Sequence, residues 1–141
     1  MKWLLDTCVI SELVRPKPSQ SVTRWLDERD EETLFISVLT VGELERGISR
    51  LPSSRKRATL EHWLRSDVTE RFGRRLLSID ATVAARWGAM IGTSDARGAP
   101  LPVIDSLIAA TGLVHDCTVV TRNTRDLDRC GARCFNPWVA Q

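Results

Sequence analysis

The sequence predicts a three-layer α/β fold, in which helices cover both faces of a mostly parallel central sheet. Short apolar runs alternate with longer segments whose apolar residues recur at helical spacing, a pattern typical of parallel α/β sheets. The chain has 141 residues, of which 43% are hydrophobic and 27% charged, as in an ordinary globular domain. No repeat, low-complexity tract or long linker interrupts the chain, so we expect one domain over residues 1–141.

Two strands and four helices are expected in the first half of the chain. Pro16 and Pro18 end the first helix, because proline cannot continue a helical hydrogen-bond ladder. Thr40 and Glu43 have the spacing of a capping box, which predicts that a helix begins there. In order, the predicted elements are strand Lys2–Leu5, helix Val9–Val14, helix Ser21–Arg29, strand Leu34–Ser37, a helix from Thr40 to Arg50 and helix Arg55–Arg71.

Three strands and three helices are expected in the second half. A turn-rich loop over residues 98–102 separates its two longer helices. The predicted elements are strand Leu76–Ile79, helix Ala81–Arg97, helix Val103–His115, strand Thr118–Thr121, one helical turn at Thr124–Arg129 and strand Ala132–Phe135.

Charge and hydrophobicity limit the classes of partner. The net charge of +2 is too small to indicate nucleic acid by itself, although all but three of the 20 basic residues are arginine. Arginine suits phosphate contacts, and a GC-rich genome would produce the same bias. The chain reaches Asp6 without a signal-peptide pattern, and no apolar run approaches the roughly 20 residues that span a bilayer. We therefore expect a cytoplasmic protein without membrane contact.

Four cysteines leave two interpretations open. Cys8, Cys117, Cys130 and Cys134 form no Cys-x-x-Cys pair. A zinc site from the last three with His115 is one alternative, but the spacing is unusual for structural zinc. For a cytosolic protein, we favour the interpretation that these cysteines are reduced and partly buried thiols.

The acidic residues Asp6, Glu43, Asp105 and Asp126 each fall at a predicted strand-to-helix junction. Because the carboxyl ends of parallel strands meet at one edge of a sheet, we expect these side chains to lie close together. Carboxylates that close repel one another unless a cation neutralises them, and an oxygen-only ligand set suits Mg²⁺ or Mn²⁺. The pattern indicates a metal-dependent phosphodiesterase.

Each acidic residue also has a structural interpretation. Glu43 completes the capping box, Asp105 lies where a helix dipole favours an anion, and Asp126 suits a surface turn. Asp6 is harder to explain this way, because apolar residues precede and follow it. No basic residue stands beside Asp6 or Asp105 in the sequence, and the joint pattern therefore favours a cation over four separate structural roles.

Four segments of the chain resemble, in order, the four motifs of the PIN-domain ribonucleases, and within them the VapC-type toxins of type II toxin–antitoxin systems. Residues Phe135–Trp138 resemble the FitB-like subgroup, whose partner is a DNA-binding antitoxin of the FitA type. The resemblance spans essentially the whole chain and implies a PIN-like α/β/α fold. The four segments are residues 4–13 around Asp6, 40–47 around Glu43, 105–111 from Asp105, and 119–127 ending beyond Asp126.

The resemblance implies hydrolysis of RNA phosphodiester bonds with a carboxylate-bound divalent metal, Mg²⁺ or alternatively Mn²⁺. It implies catalytic roles for Asp6, Glu43, Asp105 and Asp126, with Asp6 and Asp105 as the metal ligands. It also implies an RNA substrate, a cognate VapB- or FitA-like antitoxin, and a homodimer that can enter a higher toxin–antitoxin assembly.

The chain departs from the family pattern at a few positions. Cys8 stands where the family usually has asparagine, and Leu127 where it often has phenylalanine. Some relatives carry the fourth acid at the position of Asn123, so Asn123 and Asp126 are alternatives for facing the metal.

The resemblance also suggests roles for residues outside the acidic set. Thr7 and Thr121 are expected to fix the carboxylates through hydrogen bonds. Arg46, Arg122 and Arg125 either hold RNA or form a solvated face.

Other classes of protein fit less well. Haloacid-dehalogenase-like enzymes need a second aspartate at the position of Cys8, and receiver domains need a lysine after their last strands, which this chain lacks. The serious alternative is a catalytically silent PIN-fold module that binds RNA or a protein partner. Such a module would have no need for an acidic set of this kind.

Overall fold

A five-stranded sheet lies at the centre of the computed structural model, which describes residues 1–139, and all of its strand pairs are parallel. The central strand β1 pairs with β2 on one side and β4 on the other, with Leu5 opposite Val120. The strands are β1 (Lys2–Leu5), β2 (Leu34–Ser37), β3 (Leu76–Leu77), β4 (Cys117–Val120) and β5 (Cys134–Phe135), in the spatial order β3-β2-β1-β4-β5.

Helices connect the strands in sequence order. A π-helical segment, Leu64–Glu70, continues the fourth helix, and short 3₁₀ turns cover Glu31–Thr33 and Gly73–Arg75. Within residues 1–139, no helix has the length and apolar character needed to cross a membrane. The helices are α1 (Thr7–Glu12), α2 (Gln20–Asp27), α3 (Val38–Ser49), α4 (Arg55–Trp63), α5 (Ala81–Ala96), α6 (Val103–Val114) and α7 (Thr124–Arg129).

Successive strand residues point to opposite faces of the sheet, and each face has its own core. Leu5 and Val120 pack on one face against helices α1 to α3 and the π-helical segment. Their neighbours Leu4 and Val119 pack on the other face against α6 and α7. The predicted three-layer α/β architecture with a parallel sheet is confirmed.

Helix α3 begins earlier than predicted. Its N-cap is Ser37, whose hydroxyl accepts a hydrogen bond from the N–H of Leu39 at 3.0 Å. Thr40 lies inside the first turn and is completely buried, so the predicted capping box of Thr40 and Glu43 is wrong. The strand runs directly into the helix, and the hydroxyl at the junction is the one that satisfies the free N–H groups.

Most other boundaries lie within about three residues of the prediction, and two of the differences have a clear structural cause. The segment predicted as one helix over residues 55–71 changes from α to π winding after Trp63, while Leu64 and Val68 stay buried in the core. The last strand begins at Cys134 rather than at Ala132, because the N–H of Ala132 bonds back to the carbonyl of Leu127 at the end of α7.

Candidate active site

The four predicted carboxylates lie on helices that begin at the carboxyl edge of the sheet. Asp6 follows β1 and caps α1, where its Oδ1 accepts a hydrogen bond from the N–H of Thr7 at 2.8 Å. Asp105 and Asp126 occupy the first turns of α6 and α7. Because α6 follows α5 and a loop rather than a strand, the predicted strand-to-helix junction at Asp105 is wrong. Glu43 lies in the second turn of α3.

The structure brings these four side chains together around Asp105. Partial burial of Asp105 is the main cause of a raised carboxyl pKa, and the negative charges of Asp6, Asp126 and Glu43 raise that pKa further, in that order. The fold therefore makes the charged form of Asp105 less stable than it would be in water, an effect that a bound cation would offset.

Asp6 is held by the end of the neighbouring strand. Thr121 Oγ1 donates a hydrogen bond to Asp6 Oδ2 at 2.8 Å, and the N–H of Asp6 bonds to the carbonyl of Val120 at 2.9 Å. The Thr121 hydroxyl in turn accepts a hydrogen bond from the N–H of Asn123 at 3.0 Å. These bonds fix the loops after β1 and β4 relative to each other.

Glu43 is joined to the start of α1. Its Oε1 accepts a hydrogen bond from the hydroxyl of Thr7 at 2.5 Å, and the Thr7 hydroxyl also lies 3.2 Å from that of Thr40. The hydroxyls of Thr7 and Thr121 therefore donate to different carboxylates, those of Glu43 and Asp6.

Asn123 and Asp126 both face Asp105. The Asn123 side-chain amide donates to Asp105 Oδ2 at 3.3 Å and to Asp126 Oδ2 at 3.0 Å. Asp126 has a second partner in Arg129, at 3.7 Å between Oδ1 and Nη1. Both of the predicted alternatives, Asn123 and Asp126, therefore lie at the cluster.

The negative charge of the cluster is only partly neutralised by neighbouring basic side chains. In the described part of the chain, Asp6, Glu43 and Asp105 form no ion pair with a basic side chain. No three acidic, histidine or cysteine side chains in residues 1–139 are arranged so that they could hold a metal ion by themselves. A donor set of this kind fits a hard cation that takes one or two carboxylates and keeps its other positions for water and phosphate oxygens.

Cys8 connects the same two loops through its sulfur. Its Sγ accepts a hydrogen bond from the N–H of Arg122 at 3.5 Å and lies 3.7 Å from Thr121 Oγ1. Burial raises the pKa of this thiol above its ordinary value. All four cysteines are free, and residues 1–139 contain no group that would support the zinc alternative.

Glu12 is a residue whose importance the sequence did not reveal. It is only 4% exposed, and its carboxylate accepts hydrogen bonds from the N–H of Ser19 at 2.8 Å and from Arg15 at 3.2 Å. Arg122 Nη2 lies 3.9 Å away. The Ser19 bond is the main cause of a lowered Glu12 pKa, and both arginines lower it further against the opposing effect of burial. The sequence did contain one sign of this role, because Glu12 is an acidic residue that lies close to the apolar residue Ile10 in the same helix.

Arg122 is the predicted RNA-contacting arginine that the structure holds most firmly. Its guanidinium lies 4.3 Å from the centre of the Trp138 ring and 3.9 Å from Glu12. It follows Thr121 directly and therefore projects from the loop that carries Asn123. Arg46 and Arg125 are exposed, and no ion pair joins them to an acid in residues 1–139.

Comparisons with known proteins identify the family of the chain. The family model of the PIN domain matches residues 3–132. The chain is 36% identical over 135 residues to Toxin FitB of Neisseria gonorrhoeae, covering 96% of this chain and 97% of that protein. It is 32% identical over 135 residues to VapC ribonuclease Y4jK of Sinorhizobium fredii, covering 96% of each.

A solved structure shares the whole fold. The crystal structure of FitAcB from Neisseria gonorrhoeae superimposes with a TM-score of 0.91 at 36% identity, covering 98% of this chain and 99% of that one. The match therefore includes all five strands and the helices that carry the acidic cluster.

Proposed function

The chain belongs to the PIN-domain family, and from that premise we propose that it is a metal-dependent endoribonuclease acting as the toxin of a toxin–antitoxin pair. The observation that carries the proposal is the position of Asp105 beside Asp6, Asp126 and Glu43, with no basic partner for Asp105 within residues 1–139. A relative named VapC ribonuclease supports RNA as the substrate.

In this proposal Asp6 and Asp105 would bind the cation, directly or through water, and Glu43 would complete its ligand set. Asp126 or Asn123 would hold a water or a second ion. Mg²⁺ is the expected ion and Mn²⁺ the alternative, since both prefer oxygen ligands. When bound, the ion would supply a nucleophilic water and stabilise negative charge on the leaving oxygen. The attack would form a new P–O bond from water while the bond to the leaving oxygen of the RNA breaks.

The protein's own side chains orient this chemistry. Thr121 and Thr7 donate to Asp6 and Glu43, so these carboxylates keep their positions when the cation and substrate arrive. The Asn123 amide separates Asp105 from Asp126, where it lowers their mutual repulsion. Arg122 presents a fixed guanidinium, which suits bidentate contact with a phosphate.

The toxin assignment rests on the relatives. A similar protein is named Toxin FitB, and a structure of FitAB bound to a DNA fragment matches this chain at a TM-score of 0.91 and 34% identity. We therefore expect a VapB- or FitA-like antitoxin as the partner, and a homodimer within the toxin–antitoxin assembly.

Cleavage of RNA by the purified chain tests the nuclease proposal. Reactions with Mg²⁺, with Mn²⁺ and with chelator are compared for the wild type, Asp6→Asn, Asp105→Asn and Glu45→Gln. Glu45 is an exposed acid in the same helix as Glu43 and serves as the control. We expect cleavage to require metal and to fall by more than about 100-fold in both aspartate variants, because even residues that only support a ligand cost about 10–100-fold.

Two results would contradict the proposal in different ways. Cleavage that survives both aspartate substitutions would overturn the assignment of the metal ligands. A folded chain that binds RNA or its antitoxin but cuts no RNA with either metal would instead support the catalytically silent module.

A further inference from the structure

A groove beside the acidic cluster is lined by three arginines and by no acidic residue. It lies between α5, α6 and α7, with Arg86 on α5, Arg97 at the C-cap of α5 and Arg129 at the end of α7. Met90 and Cys130 form part of its floor. The charged residues that line this groove are therefore all of one sign.

Two of these arginines are available for a ligand. Arg86 and Arg97 are exposed, and neither forms an ion pair with an acidic side chain in residues 1–139. They lie eleven positions apart on the same face of α5, a separation of about 16 Å along the helix axis. In a duplex each strand has one phosphate per about 3.4 Å of helix axis, so the two guanidinium groups are far enough apart to contact different phosphates of one strand.

Arg129 connects the groove with the acidic cluster. Its Nη1 lies 3.7 Å from Asp126 Oδ1, and its Nη2 donates to the carbonyl of Pro100 at 3.2 Å. Asp126 in turn shares the Asn123 amide with Asp105. A strand leaving the acidic cluster past Arg129 would enter the groove directly.

Another cleft of the molecule has a different charge pattern. The cleft between α2 and the π-helical segment is lined by Asp27, Glu31 and Asp67 together with Arg29 and Arg71. This cleft therefore has charges of both signs, and Arg71 is paired with Glu31. The groove beside α7 lacks such internal pairing for Arg86 and Arg97, which favours an anionic ligand over an electrically mixed protein surface.

We propose that this groove binds the ribose–phosphate backbone of the RNA strand beside the bond that the acidic cluster cuts. The inference rests on the proposed nuclease function. The acidic cluster repels a polyanion, so the strand needs cationic contacts close to it, and arginine forms the bidentate contacts that phosphate favours. Backbone contacts position a strand without reading its bases, so the groove should contribute affinity rather than sequence preference.

Binding of a fluorescent single-stranded RNA, measured by anisotropy at several salt concentrations, tests the groove. All variants carry Asp105→Asn so that the RNA stays intact. Arg86→Gln with Arg97→Gln is compared with Arg50→Gln with Arg65→Gln, two exposed arginines that do not line the groove. We expect the groove pair to bind at least about 5-fold more weakly, and its slope of log K against log salt to fall by about 0.7 for each lost phosphate contact.

The control pair should retain the parental affinity and slope. Unchanged affinity and slope in the groove pair, with metal-dependent cleavage by the wild type, would overturn the groove and leave the proposed function intact. Weaker binding with an unchanged slope, or a changed oligomeric state by light scattering, would also overturn it, because the loss would not be one of phosphate contacts. A wild type that neither binds nor cuts RNA would contradict the proposed function itself.

Discussion

Thr121 donates a hydrogen bond to Asp6 across 2.8 Å, from the end of β4 to the end of β1. The Thr121 side chain is completely buried, so water cannot replace Asp6 as the acceptor of its hydroxyl. Because the N–H of Asn123 donates to the same hydroxyl, the proton of Thr121 is directed at the carboxylate. Asp6 is therefore oriented by the fold itself.

Replacing Thr121 with valine should weaken the site without unfolding the protein. Thr121→Val keeps the shape of the side chain and removes the donor to Asp6, so we expect metal affinity or cleavage to fall about 10–100-fold. Thr121→Ser keeps the hydroxyl and should restore most of the loss. Calorimetric titration with Mn²⁺ and cleavage rates measure both variants, and equal behaviour of valine and serine would contradict the role of the hydroxyl.

The metal-free protein should lose stability as the pH rises through the raised pKa of Asp105. Burial and the charges of Asp6, Asp126 and Glu43 raise that pKa in the folded state, so the folded chain binds this proton more tightly than the unfolded chain does. Stability then falls with pH between the ordinary carboxyl pKa and the raised one.

Asp105→Asn removes that titration, and its metal-free melting temperature should depend less on pH in this window. Thermal melts with chelator, from acid to neutral pH, compare the variant with the wild type. Divalent metal should reverse the loss more completely for the wild type, since only the wild type has both Asp6 and Asp105 as ligands. A wild-type stability that rises with pH throughout this window would contradict the assignment.

Glu12→Gln should disturb RNA contact more than metal binding. The substitution keeps the size of the buried side chain and removes the charge that faces Arg15 and Arg122. We expect the KM for RNA to rise several-fold because Arg122 loses an anchor, while affinity for Mn²⁺ stays unchanged. Glu28→Gln, at the exposed end of α2, is the matched control. Loss of metal affinity in the Glu12 variant would contradict this role.

Glu12 also predicts a pH effect opposite in sign to that of Asp105. Its pKa is lowered in the folded state, chiefly by the N–H of Ser19, so the group stabilises the fold above the ordinary carboxyl pKa. That contribution disappears as the pH falls through the lowered pKa. Acid denaturation followed by circular dichroism should therefore show a shallower pH dependence in Glu12→Gln than in the wild type.

The sequence predicts the fold well, because alternating apolar strands and amphipathic helices leave few other architectures. It also places Asp6 at the correct strand-to-helix junction and Asp105 at the start of the predicted helix, although a helix and a loop, not a strand, precede that helix. It suggested that Thr7 would hold a carboxylate, but it could not predict that this carboxylate is Glu43, nor could it predict the partners of Glu12. Glu43 bonds to Thr7, 36 residues away, and Glu12 faces Arg122 from the other half of the chain. Such contacts depend on packing that no local pattern records.

The start of α3 shows the same limit over a shorter range. Ser37 and Thr40 can both cap a helix, and the capping-box spacing favoured Thr40. The backbone, however, leaves β2 directly at Ser37, so Thr40 is already inside the helix. Its hydroxyl faces Thr7 instead. Where a strand ends is a property of the sheet, and the local sequence does not determine it.

Ser37→Ala should consequently destabilise the protein by about 1 kcal/mol, within the usual range of roughly 0.5–2 kcal/mol for a lost N-cap. The substitution leaves the N–H of Leu39 without its present acceptor. Ser49→Ala, at the exposed C-terminal end of α3, should change the free energy of unfolding by less than about 0.5 kcal/mol. Urea denaturation compares the two, and equal effects would exclude Ser37 as the cap.

Gly112 lies where α6 packs tightly against β4. A Cβ at this position would lie 3.1 Å from Cγ2 of Val119 and 3.4 Å from the carbonyl oxygen of Cys117. Val119 is completely buried in the second core, so its methyl group has little room to move. The same helix carries Asp105 in its first turn, and pushing α6 away from the sheet would displace that carboxylate.

Gly112→Ala should therefore destabilise the chain by about 1–3 kcal/mol through overpacking, although alanine is intrinsically the better helix former. Gly88→Ala is the matched control, because a Cβ there meets no atom within 4 Å; it should stabilise α5 by roughly 0.5–1 kcal/mol. The two substitutions are thus expected to change the free energy of unfolding in opposite directions, which distinguishes the effect of packing from that of helix propensity. If Gly112→Ala instead unfolds at the same urea concentration as Gly88→Ala, the Val119 side chain can move aside without loss of stability. The close packing of α6 on β4 would then not fix the position of Asp105.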